Sequence, residues 1–184
     1  ILEQTSITAQ TQNFFDHNEF WSGSGLFEHE VQIMPSFTFR GGRTLTFMIR
    51  NGYFRFQPER YANYATLDED GSQSPFLAPG ALKNLKAFMV FPRMRITNEF
   101  SLNGMYMARE TAIFAEASRG FELQARPEIQ WSPTDRLELS LNHTFSKISR
   151  RSSKQQVRAP NEIYSTVHIT NVKAQYLFSR ALMA

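Results

Sequence analysis

The chain of 184 residues contains no cysteine. That excludes a disulfide framework and any thiolate metal site. Long apolar runs are missing as well. The longest, Ala87 to Pro92, is about six residues, against the ~18 or more that a membrane-spanning helix requires. Helical periodicity is equally scarce, since the best stretch, Thr111 to Ser118, is short and poorly capped. Charge of one sign does not dominate: 20 Lys and Arg against 17 Asp and Glu leave a net charge of +3 spread along the chain. A nucleic-acid partner is therefore not expected. There is no phosphate-binding glycine loop, no nucleophile elbow, and no metal-ligand spacing around His17, His29, His143 or His168. The sequence predicts no enzyme activity, no metal and no cofactor.

Aromatic residues, by contrast, are plentiful. They make up 14% of the chain, with 17 Phe, and a chain this polar must find them a place. The dominant pattern has period two, which sends alternate side chains to opposite faces of a strand. Phe27, His29, Val31, Ile33, Pro35, Phe37 and Phe39 alternate with Glu28, Glu30, Gln32, Met34, Ser36 and Thr38. Phe121 to Trp131 and Leu137 to Phe145 repeat the pattern, as do Leu45 to Tyr53 and Val172 to Phe178. Strands are expected near 5–15, 26–40, 43–56, 87–97, 100–109, 119–131, 136–147 and 163–177, with a ninth beginning near 181.

The connections alternate in length. Gly41-Gly42, Asn98-Glu99, Ser132 to Asp135 and Phe178 to Arg180 read as short turns, while 16–25, 57–86, 110–118 and 148–162 read as long polar loops. Outer-membrane barrels have short turns at one rim and long loops at the other. The expected strand lengths favour the same reading. Ten residues at ~3.3 Å each, tilted by ~40°, cover an apolar band of ~25 Å. The fold expected is all-β: one domain over 1–184, an antiparallel up-and-down transmembrane β-barrel with about eight strands, as part of a larger barrel. The start at Ile1, without Met or signal peptide, fits a processed piece of a longer protein.

Two sets of residues follow from this geometry. Glu28, Glu30, Arg50, Arg93, Arg95, Glu122, Arg126, Glu128 and Glu138 fall at polar-parity positions and would line an aqueous lumen. Phe14, Phe15, Trp21, Tyr53, Phe56, Trp131, Tyr164, Tyr176 and Phe178 fall near strand ends, where interfacial aromatic girdles are built. His29 and His143 lie on the apolar side as packed or interfacial histidines. Pro35, Pro92 and Pro127 sit inside expected strands; each lacks a ladder donor, so bulges or breaks are expected there.

Several loop motifs carry sharper readings. Asp68-Glu69-Asp70-Gly71 resembles part of a calcium loop but lacks the later ligands, and reads better as a solvated acidic tip. Arg150-Arg151-Ser152-Ser153-Lys154 with Arg158 is a basic run suited to lipopolysaccharide or to plain solvation. Asn142-His143-Thr144 matches a glycosylation sequon but lies mid-strand.

Ser132 to Leu141, an "SPTDRL" turn running into alternating Leu, resembles a recurrent periplasmic hairpin of bacterial barrels. Thr170 to Leu182 is similar to the late hairpin of one group, with an N-terminal family-9-like carbohydrate-binding domain and a C-terminal outer-membrane barrel. The resemblance extends roughly over 120–182 and carries over no functional residue. It implies a location in the bacterial outer membrane and a porin-like or surface-exposed barrel. The partners expected are outer-membrane lipid and lipopolysaccharide, other subunits of a larger assembly, and a polar solute or carbohydrate. Two alternatives stay open: a soluble all-β carbohydrate-binding or scaffolding module, and a barrel with a plugged lumen that serves as an anchor.

Overall fold

A computed structural model describes residues 1–15, 25–67, 70–151 and 162–178. The chain is all-β and antiparallel. Eight long strands form one sheet: β1 (Leu2–Phe15), β2 (Leu26–Phe39), β3 (Arg43–Arg55), β6 (Ala81–Arg95), β7 (Phe100–Ile113), β8 (Ser118–Thr134), β9 (Leu137–Arg150) and β10 (Ile163–Tyr176). A two-stranded hairpin, β4 (Ala65–Leu67) with β5 (Gln73–Pro75), lies in the β3–β6 connection. The order β1-β2-β3-β6-β7-β8-β9-β10 is an up-and-down meander. Among the described residues β1 and β10 do not pair, so the sheet is open rather than a closed barrel, and no second large sheet stacks on it.

The main strands run from 13 to 17 residues, well beyond the ~5–6 usual in globular proteins. Turns at 40–42, 96–99 and 135–136 gather at one end. Gly41 and Gly42 carry φ of +87° and +73°, which suits a tight hairpin that L side chains would strain. The Ser132 to Asp135 segment and its alternating leucines form the β8–β9 hairpin.

Three features depart from the sequence reading. β6 starts at Ala81 rather than near 87. The reason is a bulge: Asn84 takes φ of +56°, and the pairing with β3 shifts between Gly52 and Phe54. Leu82 and Leu85, three apart, thereby bury on one face, which disguises the period. The expected long loop at 110–118 is instead a 3-10 turn at Phe114–Glu116 closed by a left-handed Ala117, because β7 runs on to Ile113. The expected ninth strand near 181 lies outside the described residues.

The prolines cause gaps rather than bulges. Pro35 pairs with Ile7 of β1, yet Met34 and Pro35 drop out of the β2–β3 pairing. Pro92 pairs with Leu45, while Phe91 and Pro92 drop out of the β6–β7 pairing. Pro127 pairs with Gly104, while Arg126 and Pro127 drop out of the β8–β9 pairing. The register resumes unshifted beyond each gap. Every proline thus turns its donorless side toward its own hairpin partner, and the cost stays local.

Candidate functional site

Cross-strand register assigns each residue to a face, because directly paired residues point the same way. One face carries Leu45, Phe47 and Ile49 on β3 and Phe88, Val90, Pro92 and Met94 on β6. It continues with Leu102, Tyr106 and Ala108 on β7, Leu123, Ala125 and Ile129 on β8, and Leu139, Leu141 and Phe145 on β9. On these five strands it holds no charge between Arg43 at the turn end and Arg55, Lys86, Glu110, Arg119 and Lys147 at the loop end. It is also the exposed face: Ile49 is 58%, Phe88 46% and Leu123 43% exposed. The opposite face is tucked in, with Ala87, Met89, Met107 and Glu122 all buried. In a single layer this asymmetry reflects a sheet curled around its polar face. We call the two faces outer and inner.

The register places all nine charged candidates on the inner face: Glu28, Glu30, Arg50, Arg93, Arg95, Glu122, Arg126, Glu128 and Glu138. They do not form one cluster. Arg50 donates to Glu30 at 2.7 Å. Glu122 accepts from Arg109 at 2.7 Å and from Ser146 at 3.0 Å, so three strands meet at one carboxylate. Glu128 accepts from Gln130 at 3.1 Å. Arg93, Arg126 and Glu128 border a cavity of ≈ 480 Å³ with Thr46, Asn103 and Met105 toward the turn end. Sequence reasoning missed Arg109 and Ser146. Arg109 has the inner parity of Met107 but is the last residue of its expected strand, next to the expected loop at 110–118.

A band of methionine separates these charged layers. Met34, Met48, Met89 and Met107 occupy one register row across four neighbouring strands, and Met105 lies one row below. Above them, at the loop end, the 56–80 connection folds back over the inner face. Phe56, Tyr61, Leu82, Leu85 and Ala117 bury together, with Phe54 and Phe76 against them. The rings of Phe54, Phe56, Phe114, Tyr61 and Tyr64 meet edge to face at 5.1–5.9 Å, a favourable arrangement for aromatic quadrupoles. Tyr61 Oη donates to the Phe114 carbonyl at 2.7 Å and ties the loop to the β7–β8 turn. Burial raises the Tyr61 phenol above its ordinary value, with Tyr64 a smaller contributor.

The aromatic girdle divides. Trp131 and Tyr176 lie on the outer face at the turn end, with the Phe178 ring 5.0 Å from that of Tyr176. Tyr53 lies on the outer face toward the loop end, opposite His29. Phe15 sits beyond a register irregularity at the end of β1. Tyr164 lies under the Arg150 guanidinium, 5.2 Å from the ring centre. Two expectations are corrected. Phe56 is buried in the loop core rather than interfacial, because the chain leaves β3 toward the inside. Phe14 faces Glu28 and so has inner parity. Trp21 lies outside the described residues.

The remaining motifs resolve into local contacts. Asp70 accepts from the Ser72 hydroxyl at 2.6 Å and amide at 2.9 Å, and the Ser72 hydroxyl leads in lowering its pKa. It caps a turn; Asp68 and Glu69 lie outside the described residues. Arg150 binds Glu116 through two nitrogens, at 2.8 and 2.5 Å, and Arg151 covers Phe121 at 4.5 Å. The rest of the basic run, including Ser152, Ser153, Lys154 and Arg158, lies outside the described residues. His143 Nδ1 is 2.8 Å from the Thr170 hydroxyl, with the His168 ring 5.9 Å away. His29 is 2.5 Å from Asn13 Oδ1. His17 lies outside the described residues. Asn142 of the sequon points inward between Glu128 and Asn171. Among the described residues, no three His, Cys, Asp or Glu side chains gather as a metal site. No protein-family model matches the chain, and no curated protein or solved structure matches it either.

Proposed function

We propose that this chain is part of the wall of a bacterial outer-membrane β-barrel, with lipid on its outer face and water on its inner face. The carrying observation is the uncharged outer face of five consecutive strands in a single-layered sheet. Nine residues of strand at ~3.3 Å, tilted by ~40°, span about 23 Å, close to the apolar band of such barrels. No helix among the described residues is long and apolar enough to cross a membrane, but strands cross by closing their hydrogen bonds between neighbours. Further strands would complete the ring beyond β1 and β10. The inner face, with paired charges of both signs, suits the passage of polar solutes more than catalysis. The resemblance of 132–141 and 170–182 to bacterial barrels supports the same reading.

The test uses the parent protein in its native host. Expected are recovery in the outer-membrane fraction, extraction only by detergent, and faster gel migration before boiling than after. Recovery as a freely soluble monomer overturns the proposal. Conductance of the purified protein in a planar bilayer then distinguishes an open pore from a plugged anchor.

A further inference from the structure

The inner face carries charged side chains on both sides of its middle, while the middle is rich in sulfur. Five of the six described methionines share this face, and four of them form one row across β2, β3, β6 and β7. Met89 and Met107 are directly paired and buried together, and Met48 packs against them. On the outer face, positions at the same height are filled by Phe, Val, Ile, Leu, Ala and Tyr, and the one described methionine there, Met94, lies near the turn. Sulfur is thus concentrated where aliphatic carbon would serve packing equally well, on the face that also carries the paired charges.

We propose that Met48, Met89 and Met107 form a binding site for a soft monovalent cation, Cu(I) in the cell and Ag(I) as its laboratory analogue. Thioethers select such ions over harder ones. Directly opposed residues hold their Cβ atoms about 5 Å apart, and the three flexible torsions of methionine let two sulfurs turn toward one ion. Two of the neighbouring arginines are paired, Arg50 with Glu30 and Arg109 with Glu122, while Arg126, opposite Met105 one row toward the turns, adds positive charge that the site must tolerate. The site rests on strand register and not on the membrane reading, so either can fail alone.

The test is titration of the intact, folded protein with silver nitrate in chloride-free buffer, using 13C-methyl methionine NMR. Expected are shifts of the Met48, Met89 and Met107 methyl signals at one equivalent of Ag(I), with Met94 unmoved and no response to Zn(II). The double variant Met89→Leu/Met107→Leu weakens Ag(I) binding at least tenfold, while Met94→Leu leaves it unchanged. If Ag(I) leaves the Met48, Met89 and Met107 methyl signals unmoved in the wild type, or binds the double variant equally well, the proposal is wrong. The wild-type spectra decide the matter even if the double variant misfolds.

Discussion

Glu122 is the residue on which the inner face depends most. Its buried carboxylate is shared by Arg109 and Ser146. Breaking a buried ion pair leaves an uncompensated charge, but the Arg109 side chain is 32% exposed, and water screens part of the loss. Glu122→Ala is expected to cost about 1–3 kcal/mol in urea unfolding. In a cycle with Arg109→Ala, the double variant costs less than the sum of the two singles; simple additivity would show that the pair is energetically idle. Tyr61 supplies a pH signature. Burial raises its folded pKa above the ordinary 10.0, so its contribution is intact below about pH 10 and is lost as pH rises through the higher folded value. Protease nicking of residues 56–80 should therefore increase in that alkaline range, together with late tyrosinate absorbance. Tyr61→Phe removes that absorbance step, and at neutral pH costs about 0.5–1.5 kcal/mol for the lost hydrogen bond.

At the scale of elements, the three short hairpins share one plan. Each carries a proline in its first strand, outward-facing, with the ladder gap on its own partner. The prolines were legible as anomalies, but their remedy was not, because it depends on which neighbour lies on the donorless side. The loop-end seam of β7 and β8 leaves no room for a side chain at Gly120. A Cβ at Gly120 would come within 2.9 Å of Ile113 Cγ1 and 3.3 Å of Ile148, and Ile113 is buried. Gly120→Ala is expected to destabilise by about 1–3 kcal/mol through overpacking. Adding Ile113→Ala should recover part of that loss in thermal melts. If Gly120→Ala melts like the wild type, the seam is looser than the distances say.

At the scale of the whole molecule, the two faces predict opposite responses to the same side chain. Leu102 points outward and its neighbour Asn103 inward, opposite Arg93 and Glu128. For a wall in lipid, Leu102→Arg, one outer-face row in from Trp131, costs less than the ~2–4 kcal/mol of a midplane position but clearly more than zero, whereas Asn103→Arg is nearly neutral. Folding yields in lipid vesicles measure both, and equal tolerance of the two substitutions would remove lipid from the outer face. The outer face turns polar on both edge strands: Thr11 and Asn13 point outward on β1, and on β10 Thr166, His168 and Thr170 point outward with Val167 and Ile169 inward. The switch on β10 is written in the sequence as a change of phase between Ile169 and Val172.

The existence of the eight long strands, the parity of their regular stretches and the tight turns were decided by the residues alone, because a strand's two faces are set by its local geometry and hydrophobic pattern, whereas the β4–β5 hairpin and the bulged start of β6 were not. All nine charged candidates consequently share a face. What the chain could not announce was anything that depends on which strands are neighbours. The methionine row, the Arg109–Glu122–Ser146 contact and the inward fold of the 56–80 loop over Phe54 each join residues far apart in sequence. Register between strands, set only when the sheet assembles, brought them together.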